Sequence, residues 1–175
     1  MAQLVLIGLP ALVGGCALHP LYAGGGSGMV ATTLAGVQVP AIQGKAGWLM
    51  ANALRDRLQG GNGDRYRLDV RLDDQIAGLG VRRDDSVARE RRTVRARYQL
   101  VDLADGSVLL DATAGSDAGI DVVGSEYATI AAENTALERL SEIVADQIVA
   151  RIAVYARRGP VLHGPVPAVA VTPAP

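Results

Sequence analysis

Seven arginines crowd the stretch from Arg82 to Arg97, where the only acids are Asp84, Asp85 and Glu90, a local excess of four positive charges (seven minus three). The whole chain carries a formal net charge of -1, so the remainder stands at -5. Lys45 is the only lysine. A guanidinium fork grips phosphate or carboxylate with two parallel hydrogen bonds, which makes Arg91, Arg95 and Arg97 candidate anion-binding residues. The plainer alternative is a solvated strand face whose arginines pair with neighbouring acids and add little to stability. Other chemistry-bearing residue types are sparse. Cys16 is the sole cysteine, and His19 and His163 both fall in expected tails, so neither a disulfide nor a Cys/His metal set can be built. No Ser/His/Asp or Cys/His nucleophile set lies in the presumptive folded region, and the expectation is a protein without enzymatic activity. Gly44-Lys45 is followed by Ala46, so no phosphate loop is present. Nothing calls for a cofactor, and the near-neutral whole-chain charge gives no steer toward nucleic acid.

The arginines share a face if Val87 to Ala114 forms two strands joined at Ala104-Asp105-Gly106. A two-residue turn would set Leu100 against Asp111 and mix apolar with polar partners. A three-residue turn closed by Gly106 in the left-handed region pairs Leu103 with Ser107. Leu100 then faces Leu110, Tyr98 faces Ala112 and Ala96 faces Ala114. The other side collects Thr93, Arg95, Arg97 and Gln99 opposite Asp111, Thr113 and Gly115. A slip of one residue would invert every side chain, so the clean separation selects this register. Arg65 to Asp73 alternates strictly, with Tyr66, Leu68, Val70 and Leu72 on one side, and reads as a half-buried antiparallel strand. A turn at Asp84-Asp85-Ser86 would pair Arg83 with Val87, Leu72 with Tyr98 and Val70 with Leu100, and would set Asp73 opposite Arg97. Arg97 would then be neutralised by Asp73 and Asp111, leaving Arg91 and Arg95 without a facing carboxylate.

The rest of the chain supplies the covering elements. Absence of Phe makes the core aliphatic. Leu34 to Val39 reads as a first strand ended by Pro40. Lys45 to Leu58 reads as a helix with the stripe Gly47, Ala51, Leu54 and Leu58, Met50 beside it, and Trp48 as core packing. Gly60-Gly61-Asn62-Gly63 stops it. A long helix is expected from Glu126 to about Ala156, capped by Ser125, with Ile130, Leu137, Leu140, Val144, Ile148, Ile152 and Tyr155 on one side. Together these elements predict an α+β domain over residues 31–158: a four-stranded, mostly antiparallel sheet with two helices packed on one face. Residues 159–175, with five prolines and no acid, read as a disordered tail.

Cys16 carries a different chemistry. Leu4 to Val13 is an apolar run too short to span a bilayer and of the length of a signal-peptide core. It ends in Val13-Gly14-Gly15-Cys16, which resembles the lipobox of bacterial lipoproteins. The resemblance implies a signal peptide over 1–15 and a diacylglycerol thioether on Cys16, with a flexible tether over 16–30 that includes Gly24-Gly25-Gly26-Ser27-Gly28. Ala17, where an Asp would resemble an inner-membrane retention signal, points to the outer membrane.

Three stretches together resemble the lipopolysaccharide-assembly lipoprotein family LptE in its alphaproteobacterial form. They are Cys16-Ala17-Leu18-His19-Pro20-Leu21-Tyr22; Arg65-Tyr66-Arg67-Leu68 through Tyr98-Gln99-Leu100-Val101-Asp102-Leu103; and the terminal helix with Ala145-Asp146-Gln147-Ile148. The resemblance implies a lipid-anchored protein on the periplasmic side of the outer membrane, paired with the LptD barrel as plug and assembly partner. It also implies that basic side chains bind lipopolysaccharide. A rival reading is an auxiliary lipoprotein of a periplasmic lipid transporter without a barrel partner. For the anchor, Cys16→Ser is expected to leave the protein unprocessed, while wild type begins at Cys16 and carries acyl mass. Intact-mass measurement decides it: a mature chain that starts elsewhere and bears no lipid ends the idea.

Overall fold

The computed structural model describes residues 28–81 and 87–158. The strand Val87–Asp102 (β3) sets the architecture. Its even-numbered residues Arg92, Val94, Ala96, Tyr98 and Leu100 are buried, while Arg91, Arg95 and Arg97 are exposed on the other side. That alternation is the signature of an antiparallel sheet covered on one face. Tyr66–Val81 (β2) and Val108–Asp121 (β4) flank β3, both antiparallel to it.

The β3–β4 register is the expected one: Leu100 faces Leu110, Tyr98 faces Ala112 and Ala96 faces Ala114. The turn differs. Asp102 N donates to Ser107 O and Gly106 N to Asp102 O, both at 2.9 Å, so Leu103 to Gly106 form a four-residue loop. Gly106 has φ +74°. The pairing shifts by one between Leu100 and Val101, which faces Val108, and Leu109 is left as a bulge. The extra loop residue is thus absorbed by the bulge before the pattern of the strand bodies is disturbed.

The β2–β3 register is two residues from the expected one. Val70 faces Tyr98, Leu72 faces Ala96 and Leu68 faces Leu100. Asp73 therefore lies opposite Arg95, and Arg71 takes the place opposite Arg97. An even shift preserves which face each residue occupies, so apolar patterning alone does not distinguish the two registers. The expected turn at Asp84-Asp85-Ser86 lies outside the described residues.

A helix at Met29–Ala35 (α1) replaces most of the expected first strand, leaving only Val37–Gln38 (β1) extended. Val30, Ala31 and Leu34 are its buried residues, at helical spacing, and Gly36 ends it. Val37 and Gln38 run parallel to Tyr66 and Arg67, so the sheet order is β1-β2-β3-β4 and only the β1–β2 pair is parallel. The crossover between them holds the helix Gly44–Arg57 (α2). Chain return requires Gly63, because a Cβ there would sit 2.1 Å from the Gly36 carbonyl carbon.

The terminal helix Glu126–Arg158 (α3) starts as expected, with Ser125 Oγ accepting from Ala128 N at 3.5 Å. Leu137, Leu140, Val144, Ile148 and Ile152 are buried on it. Ile130, expected in that stripe, is 47 % exposed, since before Ala136 only Thr129 is buried. α3 lies over β3 and β4, and α1 and α2 pack against α3. Lys45 Nζ donates to Asn134 Oδ1 at 2.6 Å, and Arg57 pairs with Asp146, both across 89 residues, so α2 and α3 run parallel. The stripe expected on α2 is buried, but Trp48 is 62 % exposed. At about 100° per residue it falls roughly a quarter turn from Gly47, off the inward side. The core prediction concerns Leu100, which is fully buried among Leu68, Tyr98 and the α3 stripe. Leu100→Ala is expected to cost about 2–5 kcal/mol, measured by urea unfolding; a loss below about 1 kcal/mol would place the site outside the rigid core.

Candidate functional site

The face of the sheet turned away from α3 has no helix over it among the described residues. Most of its side chains are charged or polar, among them Arg67, Asp69, Arg71 and Asp73 on β2; Arg89, Arg91, Arg95 and Arg97 on β3; Asp111, Asp117 and Asp121 on β4. Most of these charges pair. Arg67 Nε lies 2.9 Å from Asp69, Arg89 3.0 Å from Asp121, Arg97 3.0 Å from Asp111 and Arg91 3.7 Å from Asp117. No carboxylate faces Arg91, which stands between Ala77 and Gly119, yet it is not without an acid. Asp117 faces Thr93 and reaches Arg91 diagonally.

Arg95 and Arg71 remain. Among the described residues neither enters an ion pair within 4.0 Å. Asp73, directly opposite Arg95, instead accepts from Gln75 Nε2 at 3.0 Å. Arg71 and Arg97 are cross-strand neighbours, a like-charge pair that costs energy in the absence of a counter-ion. Gly115 makes room for this arrangement, because a Cβ there would lie 3.2 Å from Arg95 Cγ. A hollow of about 650 Å³ spans the three strands here, lined by Arg71, Thr93, Arg95, Arg97 and Thr113. A second, of about 440 Å³, lies beyond the edge of β2 and is lined by Pro40, Ala41, Ile42, Leu68, Arg71 and Arg97. Arg71 and Arg97 belong to both, so charged and apolar surface adjoin across them.

Arg95 and Arg97 are thus brought together, joined by Arg71, while Arg91 lies farther along β3 with its own acid. Arg71 was missed because the expected register set it opposite Gln99. Arg92, also within the basic stretch, faces the core. Its Nε and Nη2 donate to Asp74 at 2.8 and 2.6 Å, and its Nη1 to the Glu133 carbonyl at 3.0 Å, tying β3 to β2 and α3. The hydrogen bond to Asp74 raises the Arg92 pKa against the opposing effect of burial. Cys16, His19, His163 and residues 159–175 lie outside the described residues. Among the described residues there is no group of three potential metal ligands, and no helix is long and apolar enough to cross a membrane.

A one-sided sheet with a parallel edge strand, covered by a long terminal helix, is an architecture found in solved bacterial lipoproteins. A candidate lipoprotein from Caulobacter crescentus CB15 matches with TM-score 0.66 at 22% identity, over 75% of this chain and 100% of that one. A minor lipoprotein from Acinetobacter baumannii matches with TM-score 0.54 at 14% identity, over 67% and 88%. The rare lipoprotein B from Shewanella oneidensis matches with TM-score 0.53 at 11% identity, over 70% and 95%. At these identities the likeness is one of fold. Comparison of the sequence with curated proteins finds no significant match. The family model for LptE, lipopolysaccharide-assembly, matches residues 34–152, and the chain belongs to that family.

The Arg97–Asp111 pair makes part of the site pH-dependent. Asp111 accepts from Arg97 and from Gln99 Nε2 at 2.9 Å, and these bonds hold its carboxyl below the usual carboxylate value. A carboxyl depressed in the folded state contributes its full stabilisation above the unfolded value, about 3.9, and loses it as pH falls through the folded value. Melting temperatures of wild type and Asp111→Asn are therefore expected to differ at pH 7 and to converge from about pH 4 toward pH 2. Parallel curves would show that the pair carries no linkage.

Proposed function

We propose that this chain is an outer-membrane lipoprotein, acylated on Cys16, that pairs with the LptD barrel as plug and assembly partner and binds lipopolysaccharide during delivery to the outer leaflet. Its binding surface is the bare face of the sheet, led by Arg71 and Arg95 with Arg97 between them and Arg91 at the margin. The observation that carries the reading is the presence of two arginines without ion-pair partners over a hollow bordered by apolar surface. An arginine held on a strand and left without a carboxylate keeps its full capacity for a charge-assisted bond to an incoming phosphate or carboxylate. Side chains two residues apart on one strand stand about 6.6–6.8 Å apart, and Arg71 approaches the row from β2, so a headgroup with spread charges meets several donors at once. The apolar lip at Pro40, Ala41 and Ile42 suits an amphipathic ligand better than a small inorganic anion.

Two measurements test this. Purification of the mature lipoprotein from outer membranes is expected to bring down a large β-barrel protein; recovery with an ATPase–permease complex instead would favour the transporter reading. Arg71→Ala/Arg95→Ala is expected to weaken lipopolysaccharide binding at least tenfold with an unchanged melting temperature, and wild-type binding to fall with added salt. Arg91→Ala is expected to have a smaller effect. Unchanged binding in the double variant moves the site off this face.

A further inference from the structure

One end of the molecule carries a cluster that the anion site does not use. Met29, the first helical residue, is 69 % exposed there, and Leu103 of the β3–β4 turn and Val108 at the start of β4 are exposed as well. Leu103 N donates to the Arg65 carbonyl at 3.0 Å, which docks the turn onto the start of β2. A hollow of about 250 Å³ opens among Met29, Arg65, Leu109 and Tyr155. A second, of about 380 Å³, opens among Val108, Leu109, Tyr155 and Arg158. They share Leu109 and Tyr155, so Met29 and Val108 border adjoining hollows whose lining also holds Arg65 and Arg158, while Leu103 is exposed on the turn at the same end. Arg157 is exposed beside Arg158 at the end of α3. Two acids of this end are engaged locally: Asp102 Oδ1 accepts from Ala104 N and Asp105 Oδ1 from Ser107 N, each at 2.9 Å.

This is also the end at which the chain arrives from Cys16. Twelve residue steps separate Cys16 from Gly28, a reach of about 40 Å at full extension. Ile76, ten residues along β2 from Tyr66, lies about 33 Å away toward the other end of the sheet. An acyl group on Cys16 therefore keeps the Met29 end nearest the bilayer, and the Ile76 end comes there only if those twelve steps are drawn out almost fully.

We propose that this end seats on the lipid surface. Met29, Leu103 and Val108 enter the interface, and Arg65, Arg157 and Arg158 lay their stems along the apolar side chains with their guanidiniums at the phosphates. The diacylglycerol on Cys16 brings two acyl chains and by itself gives stable attachment; the seated end fixes which way the molecule stands. The inference rests on the acylation of Cys16 proposed above.

The test uses the full lipoprotein, matured in cells and reconstituted in vesicles of phosphatidylethanolamine and phosphatidylglycerol containing brominated lipid. In a Trp48→Phe background, Leu103→Trp or Val108→Trp provides the reporter, and Ile76→Trp the control at the far end. Emission from position 103 or 108 is expected to shift to the blue and to be quenched at least threefold more strongly than emission from position 76. Arg65→Gln/Arg158→Gln is expected to reduce that quenching. Equal quenching at both ends, or none at either, in a sample whose intact mass shows the acyl groups overturns the seating while leaving the anchor standing. A sample without acyl mass overturns both. If Leu103→Trp melts early, Val108→Trp reports the same contact.

Discussion

Burial of the even-numbered side chains of β3 beneath α3 is the constraint on which the remaining structure depends. Val94, Ala96, Tyr98 and Leu100 meet Leu137, Leu140, Val144, Ile148 and Ile152 in one apolar layer, aliphatic but for Tyr98. Area removed from water there, at roughly 25 cal/mol per Å², is what holds a sheet with only one covered face. The small side chains Ala96, Ala112 and Ala114 allow the helix to lie close, and α1 and α2 then pack on α3 instead of covering β3 and β4 themselves. Because the strand period is two, fixing the even positions inward obliges Arg91, Arg95 and Arg97 outward. The charged face is a corollary of the packed one.

Electrostatics then sorts the outward arginines. Cross-strand acids on β4 engage Arg89, Arg91 and Arg97 at the surface, where such pairs contribute little. Arg92 goes the other way. Its position on the covered face would be costly for a free charge, and the bidentate bond to Asp74 with a third bond to the Glu133 carbonyl compensates for the desolvation. One short stretch of sequence therefore holds arginines with three fates: paired on the surface, built into the helix–sheet contact, or, for Arg95, left outside any ion pair although Asp73 stands opposite. Composition treats them alike; only the register separates them.

Much of the fold was legible because it rests on period and on turn chemistry. The face assignments of β3 and β4, the inner stripe of α2 and the capped start of α3 all follow from local pattern. What escaped depended on longer-range facts. The β2–β3 register differs by two because no apolar pattern distinguishes even shifts, and that small displacement decided whether Arg71 or Asp73 stood opposite Arg97. Leu34 fits a strand or a helix equally well; burial of Val30 and Ala31 against α3 chose the helix. Trp48 and Ile130 follow apolar type but not apolar placement. The LptE resemblance was carried by order and spacing, and the family match over residues 34–152 agrees with it.

The brevity of β1 has a consequence for how the molecule avoids its own kind. Only Tyr66 and Arg67 of β2 are paired on that side, so among the described residues the backbone from Leu68 to Val81 presents a long free margin. A free margin of this length is a template for any extended chain that drifts alongside. Here the margin bears Asp69, Arg71, Asp73 and Asp74 in close succession. An apolar segment aligning with it would have to strip water from alternating charges on one side and gain nothing for them. The same mixture of signs that leaves the sheet face soluble thus acts as a filter against stacking into fibrils, and it does so without a covering strand.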